Sequence, residues 1–234
     1  MAILGIVGGI APPSTVAYYR TIIDRYGAET GGRSPRILID SLDSGSFYEL
    51  LRADDRDEIV RRLVGELQRL AEAGAELGLI ASNTGHIRFD QIRAASPIPL
   101  VGIVDAVADA LAGRTRIGLF AMSFTIHADV YGSALASRGI ACVVPAAEDQ
   151  ERIQAIYFGE LVNDVFRDES REELLDIARR LRASQGVDAI VLGGTELPLL
   201  LTAPGHDGVI FVDSGRLHAE AAVRALLALE GATR

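Results

Sequence analysis

Two stretches, Gly78-Leu-Ile-Ala-Ser-Asn-Thr-Gly-His86 and Ile190-Val-Leu-Gly-Gly-Thr-Glu-Leu-Pro198, decide the fold. Each is a short apolar run that empties into small and polar residues ahead of a helix-like segment. A short apolar run bounded by turn-forming residues reads as a strand buried on both faces. Such strands belong to parallel sheets covered by helices. The two stretches therefore read as one kind of unit used twice, once in each half of the chain.

Working outward, the same alternation continues in both directions. Ile3 to Val7 is a strand ending in Gly8-Gly9, and Ser14 or Thr15 is placed to cap a helix through Tyr18, Tyr19, Ile22 and Ile23. Arg36 to Ser41 reads as a strand. Between Asp57 and Ala73 apolar residues at 59, 60, 63, 64, 67, 70 and 71 draw a helical stripe that Gly74 ends. Ile98 to Val101 is again strand-like. The second half offers strands at Arg116 to Ala121, Ile140 to Val144, Asp188 to Leu192 and Val209 to Val212. Helices are expected around 129–138, 150–166 and 170–185, and a last one runs from a Ser214 cap to about Glu230. Alternating βα units build parallel sheets, so the expected fold is α/β: two similar, doubly wound lobes. Lobe 1 takes residues 1–101 and 208–234, with the last helix packing back onto it, and lobe 2 takes 102–207.

The composition closes several routes. With 234 residues, 49% of them hydrophobic, the chain has ample material for a core. A net charge of −9 argues against nucleic-acid partners, which call for a basic surface. No apolar run approaches the ~20 residues of a membrane helix, and the N-terminus lacks the basic leader of a signal peptide. A single cysteine, Cys142, forbids an internal disulfide and fits a reducing compartment, so a cytoplasmic location is expected. All 23 basic residues are arginine. Without lysine there is neither a pyridoxal phosphate Schiff base nor a Walker-type P-loop. No metal site and no cofactor are expected.

In parallel α/β sheets ligands sit beyond the carboxyl ends of the strands. Four loops qualify: Gly8 to Thr15, Ser82 to His86, Ala121 to Thr125, and Gly193 to Glu196. Each combines backbone N–H groups with small hydroxyl or amide side chains, a combination suited to a carboxylate. The bland alternative is that these residues only form turns and caps.

The motifs in these loops resemble those of the aspartate/glutamate racemase superfamily. GIVGGIAPPSTVAYYR is similar to the family's glycine-rich opening and Ser-Thr-x-x-Tyr-Tyr helix, SNTGH to its Cys-Asn-Thr-x-His motif, and GGTELPLLL to Gly-Cys-Thr-Glu-Leu-Pro-Leu-Leu. VVPAAEDQERIQAIYFGEL and DSGRLHAEAAV resemble its other stretches, so the likeness runs nearly end to end. The resemblance implies an enzyme independent of pyridoxal phosphate and of any cofactor. Its lobes would be pseudo-twofold related, with the active site between them and a homodimer as the assembly. It also implies a small anionic substrate, an amino or dicarboxylic acid, held by Gly9, Thr15, Asn83, Thr84, Thr125 and Thr195.

The chemistry departs from the family. There, one cysteine thiolate removes the α-proton and a second thiol returns a proton to the opposite face. Here Ser82 stands at the first cysteine position and Gly194 at the second, and the Gly-Thr-x-Phe-Thr loop becomes Ala121-Met-Ser-Phe-Thr125. A hydroxyl is a far weaker acid than a thiol and acts only with a partner to take its proton. Glycine brings no side chain at all. His86, one turn after Ser82, is the candidate replacement acid or base, against packing within its lobe. Asp43 is a second candidate base. Glu196 reads as a cap or support, Asp213 and His218 as structural, and His127 and His206 as surface residues. Cys142, inside a strand, cannot stand in. Three readings remain: an isomerase-type reaction at the α-carbon, a lyase acting on a carboxylate, and a carboxylate binder without turnover.

Overall fold

The computed structural model describes residues 1–232. The chain divides into two compact units, residues 1–106 with the chain from Gly215 onward, and residues 107–214.

The first unit holds a parallel three-stranded sheet in the order β2-β1-β3, formed by Ile3–Gly8 (β1), Arg36–Ser41 (β2) and Leu77–Ile80 (β3). The extended segment expected at 98–101 lies along β3 through a single parallel bridge, Gly78 to Leu100. Alternation along each strand divides the residues between two faces. Leu4, Ile6, Leu77 and Leu79 pack with Tyr18, Ile22 and Tyr26 of the helix Pro12–Thr30 and with Ala219, Ala222, Val223 and Leu226 of the last helix, Ser214–Ala232. On the opposite face Gly5 and Gly78 lie against Leu70 and Leu67 of the helix Arg56–Glu72.

The second unit repeats this wiring. Arg116–Ala121 (β4), Ala141–Val143 (β5), Ala189–Gly193 (β6), Gly205–His206 (β7) and Val209–Asp213 (β8) form a five-stranded sheet in the order β5-β4-β6-β8-β7, parallel except for β7. Its core joins Phe120, Ile190 and Leu192 to the helices Ala147–Gly159 and Asp168–Gln185. The expected division placed 208–234 with lobe 1. β8 instead hydrogen-bonds to β6, so residues 208–214 complete the second sheet and the chain rejoins the first unit only at Gly215. Of the helix expected around 129–138 only Gly132–Ala136 is helical, and a separate short helix, Ser123–His127, precedes it. Asp129 breaks the segment with a left-handed backbone, φ 52°, and its carboxylate accepts from Ser133 N at 3.0 Å.

In each sheet the chain leaves the first strand to one side and later returns on the other, so β1/β3 and β4/β6 are the reversal points. The four candidate loops follow the carboxyl ends of these four strands, where such folds bind ligands.

Candidate functional site

In the first unit, the loop after β1 is shaped by Gly9. Its φ of 83° and a would-be Cβ only 2.3 Å from the Leu42 carbonyl leave no room for a side chain. The following helix starts at Pro12, earlier than a Ser14 or Thr15 cap would place it. Proline suits the first helical turn because its φ is preset and its missing N–H is not needed there. Thr15 is thereby released from capping, and its Oγ1 accepts from Gly9 N at 2.9 Å.

The loop after β3 is buried. Ser82, Asn83 and Thr84 are each under a tenth exposed. Ser82 Oγ lies 3.1 Å from Thr84 Oγ1 and accepts from Gly85 N at 3.3 Å. The structure gives His86 a different task from proton transfer. Its Nε2 accepts from Ile103 N at 3.0 Å, which assigns the ring proton to Nδ1, and Nδ1–H donates to the Ser82 carbonyl at 2.7 Å. Burial holds its pKa well below the usual histidine range, with nearby His218 adding to the effect. A neutral imidazole with both nitrogens held by backbone clamps the loop and is not available as a base.

His218 is its counterpart. Tyr18 OH donates to Nδ1 at 2.9 Å and Nε2–H donates to the Val101 carbonyl at 2.8 Å. The two imidazoles meet edge to face, centroids 5.3 Å apart, and burial depresses the His218 pKa to about 4. Tyr18 and His218 thus tie three segments of this unit together behind the Ser82 loop. Asp43 is an exposed helix cap, its carboxylate accepting from Ser46 N at 2.9 Å. That hydrogen bond lowers its pKa and disqualifies it as a poised base.

In the second unit Thr125 is fully buried, and its Oγ1 has no hydrogen-bond partner among the described residues. An unmatched buried hydroxyl costs about 1–3 kcal/mol, so its retention calls for a reason. At the other motif, Gly194 leaves no open space. A Cβ built there would stand 2.7 Å from Cε2 of Tyr157. Tyr157, on the helix Ala147–Gly159, is buried, and its hydroxyl donates to Glu196 Oε2. Thr195 Oγ1 donates to the same oxygen at 2.9 Å. Glu196 occupies the cap position of the short helix Leu197–Leu200, but its side chain makes no capping bond. Its carboxylate is the anchor of this cluster. Tyr157 escaped sequence reasoning because it lies 39 positions from Glu196. The only hint was that a glycine inside a buried motif must have its side-chain volume filled by something.

Cys142 is no substitute thiol, since burial pushes its pKa up to about 12. His127 is exposed, and half-buried His206 pairs with Arg179. Among the described residues no cluster of His, Cys, Asp and Glu could hold a metal, and no helix is long and apolar enough to cross a membrane.

The chain is similar to proteins of a racemase family over most of its length. The sequence model of the Asp/Glu/hydantoin racemases matches residues 7–222. A crystal structure from Yersinia pestis, of a protein assigned as an Asp/Glu racemase, is 33% identical with a TM-score of 0.88, covering 97% of this chain and 100% of that one. An aspartate racemase homologue from Pyrococcus horikoshii OT3 is 30% identical with a TM-score of 0.80, covering 99% of this chain and 100% of that one. The broad specificity amino-acid racemase RacX of Bacillus subtilis (strain 168) is 26% identical over 106 residues, 44% of this chain and 46% of that protein.

Proposed function

The chain belongs to the Asp/Glu/hydantoin racemase family, and we propose that it acts at the α-carbon of an amino acid or related small carboxylate without the two-thiol machinery. The observation that carries this reading is Thr125. A fully buried hydroxyl without a partner among the described residues, on the short helix Ser123–His127 that follows β4 at a reversal point of the sheet, supports a donor held ready for a ligand oxygen. Gly9, Thr15, Asn83, Thr84 and Thr195 are the further carboxylate-holding residues. Pyridoxal phosphate is ruled out as an electron sink by the lack of lysine, so the carbanion is stabilised by oriented N–H and O–H dipoles alone.

Ser82 and Gly194 make ordinary two-base racemisation chemically unsuited to this protein. The filled position beside Gly194 favours, as a second reading, a lyase reaction in which bond cleavage creates the carbanion and a single group protonates it. Thermal-shift binding of succinate and of the D and L forms of aspartate and glutamate tests the common core of both readings. At least one ligand should raise the melting temperature of the wild type. Thr125→Val should abolish that rise without lowering the melting temperature of the free protein. An undiminished ligand response in Thr125→Val would refute the assignment. Product analysis by NMR then separates α-carbon exchange from cleavage.

A further inference from the structure

The second motif keeps a proton-transfer group, but on a different element. Gly194 contributes no side chain, yet the volume a side chain would enter is taken by the ring of Tyr157, with Cε2 at 2.7 Å and Cδ2 at 3.3 Å from the would-be Cβ. The Tyr157 hydroxyl ends on Glu196 Oε2, the oxygen to which Thr195 also donates. Tyrosine, carboxylate and threonine therefore converge within two residues of the motif position, and Glu196 is fully buried. A hydrophobic filler would meet the packing requirement beside Gly194 equally well. A phenol joined to a buried carboxylate adds acid–base capacity.

We propose that Tyr157 and Glu196 form a one-sided proton relay, an inference that rests on the carboxylate reading above. The Cα–H bond of the bound substrate breaks and its proton bonds to Tyr157 Oη. In the same step the phenol's own proton passes along the existing hydrogen bond to Glu196 Oε2. The electron pair stays on the substrate, spread into its carboxylate. Tyr157 ends neutral and Glu196 ends as the acid, so charge moves from enzyme carboxylate to substrate carbanion and no phenolate forms. This matters because a phenol, with an ordinary pKa of ~10, is a poor base by itself, whereas a carboxylate acting through it keeps the charge on the more acidic group. Reversal returns a proton to the same face. Ser82 is no second base, since a hydroxyl needs an acceptor for its proton and the adjacent imidazole of His86 has both nitrogens engaged. When the proton held on Tyr157 exchanges with water before it returns, the relay replaces the α-hydrogen with retention of configuration.

The test is proton NMR in deuterated water on the D and L forms of aspartate, glutamate and alanine, with chiral analysis of the recovered amino acid. The wild type should incorporate α-deuterium into at least one enantiomer without inverting it. Tyr157→Phe keeps the ring and Glu196→Gln keeps an acceptor. Each should preserve the ligand-induced thermal shift while slowing exchange by ~100-fold or more, the span of general acid–base catalysis. Exchange that persists at the wild-type rate in both variants overturns the relay and leaves the carboxylate reading standing. Exchange accompanied by inversion overturns its one-sidedness. A wild type that exchanges no member of the panel overturns the α-carbon reading and the relay together.

Discussion

A cysteine returned to position 194 should destabilise the protein, and shortening Tyr157 should remove most of that loss. The Cβ alone would sit 2.7 Å from the Tyr157 ring, against 3.4 Å or more for an ordinary contact, before any sulfur is added. The ring has little room to yield, because it is buried in the apolar cluster that also holds Ile153, Leu161 and Leu197, and its hydroxyl is held by Glu196. Overpacking of a well-filled core costs about 1–3 kcal/mol, and Gly194→Cys belongs near 3. Tyr157→Leu removes aromatic volume and one donor to a buried carboxylate, a loss of about 2–3 kcal/mol. Were the two independent, the double variant would lose about 5–6 kcal/mol. Because they contest one volume, the double variant should lose little more than Tyr157→Leu alone, a coupling of about 2–3 kcal/mol. Urea denaturation of the four proteins, followed by far-ultraviolet circular dichroism, completes the cycle. Additivity within about 0.5 kcal/mol would show that Tyr157 and position 194 do not share space, and would remove the structural basis of the relay as well.

The two buried histidines set an acid limit. A histidine whose pKa falls on folding binds fewer protons native than unfolded, so its contribution is fully present above the ordinary value of 6.5 and is lost as pH falls through the folded one. For His218 the drop to about 4 is worth about 3 kcal/mol, and His86 shifts in the same direction. Denaturation midpoints should be flat from pH 8 to 6.5 and decline between 6.5 and 5, above the range of most carboxylates; a flat profile down to pH 5 would contradict neutral, buried imidazoles. Thr125→Val should match or raise the stability of the free protein, by up to about 2 kcal/mol or a few degrees in Tm, and a clear destabilisation would mean that the hydroxyl has a structural partner. Cys142 should react with iodoacetamide at pH 8 far more slowly in the native protein than in urea, given its pKa of about 12. Rapid native labelling would show that the strand around it opens.

The sheets were legible because β1, β3, β4 and β6 are buried on both faces and so appear as uninterrupted apolar runs before glycine or small polar residues. The loops were legible for the same reason, since they begin where those runs stop. What the sequence concealed depends on pairing across distance. Val209–Asp213 reads equally well as a strand of either lobe until its partner β6 is known. Thr15 looks like a cap, yet Pro12 starts the helix first and frees the hydroxyl for Gly9. His86 has the spacing of a residue facing Ser82, and it does face that residue, but it binds the carbonyl and not the hydroxyl. Nothing in local spacing distinguishes those two contacts.

Positions 82 and 194 and the residues that anchor their loops are largely different sets, so under the proposed function a carboxylate cradle can persist while its acid–base groups differ. The Ser82 loop is held through backbone atoms: His86 grips the Ser82 carbonyl, and Ile103 N grips His86 in turn. The Ser82 hydroxyl adds its own contacts, to Thr84 Oγ1 at 3.1 Å and from Gly85 N at 3.3 Å, so a change at 82 alters these and leaves the backbone contacts in place. The Gly194 loop is held through Glu196, which receives both Thr195 and Tyr157. There a side chain at 194 would crowd the ring at 157, so a residue larger than glycine requires that ring to shift or shorten. Under the proposed function, a change at 82 alters the acid–base group while the backbone contacts of the loop persist. If the proposed relay operates, the phenol of Tyr157, and not a cysteine restored at 194, is the group on which activity should depend.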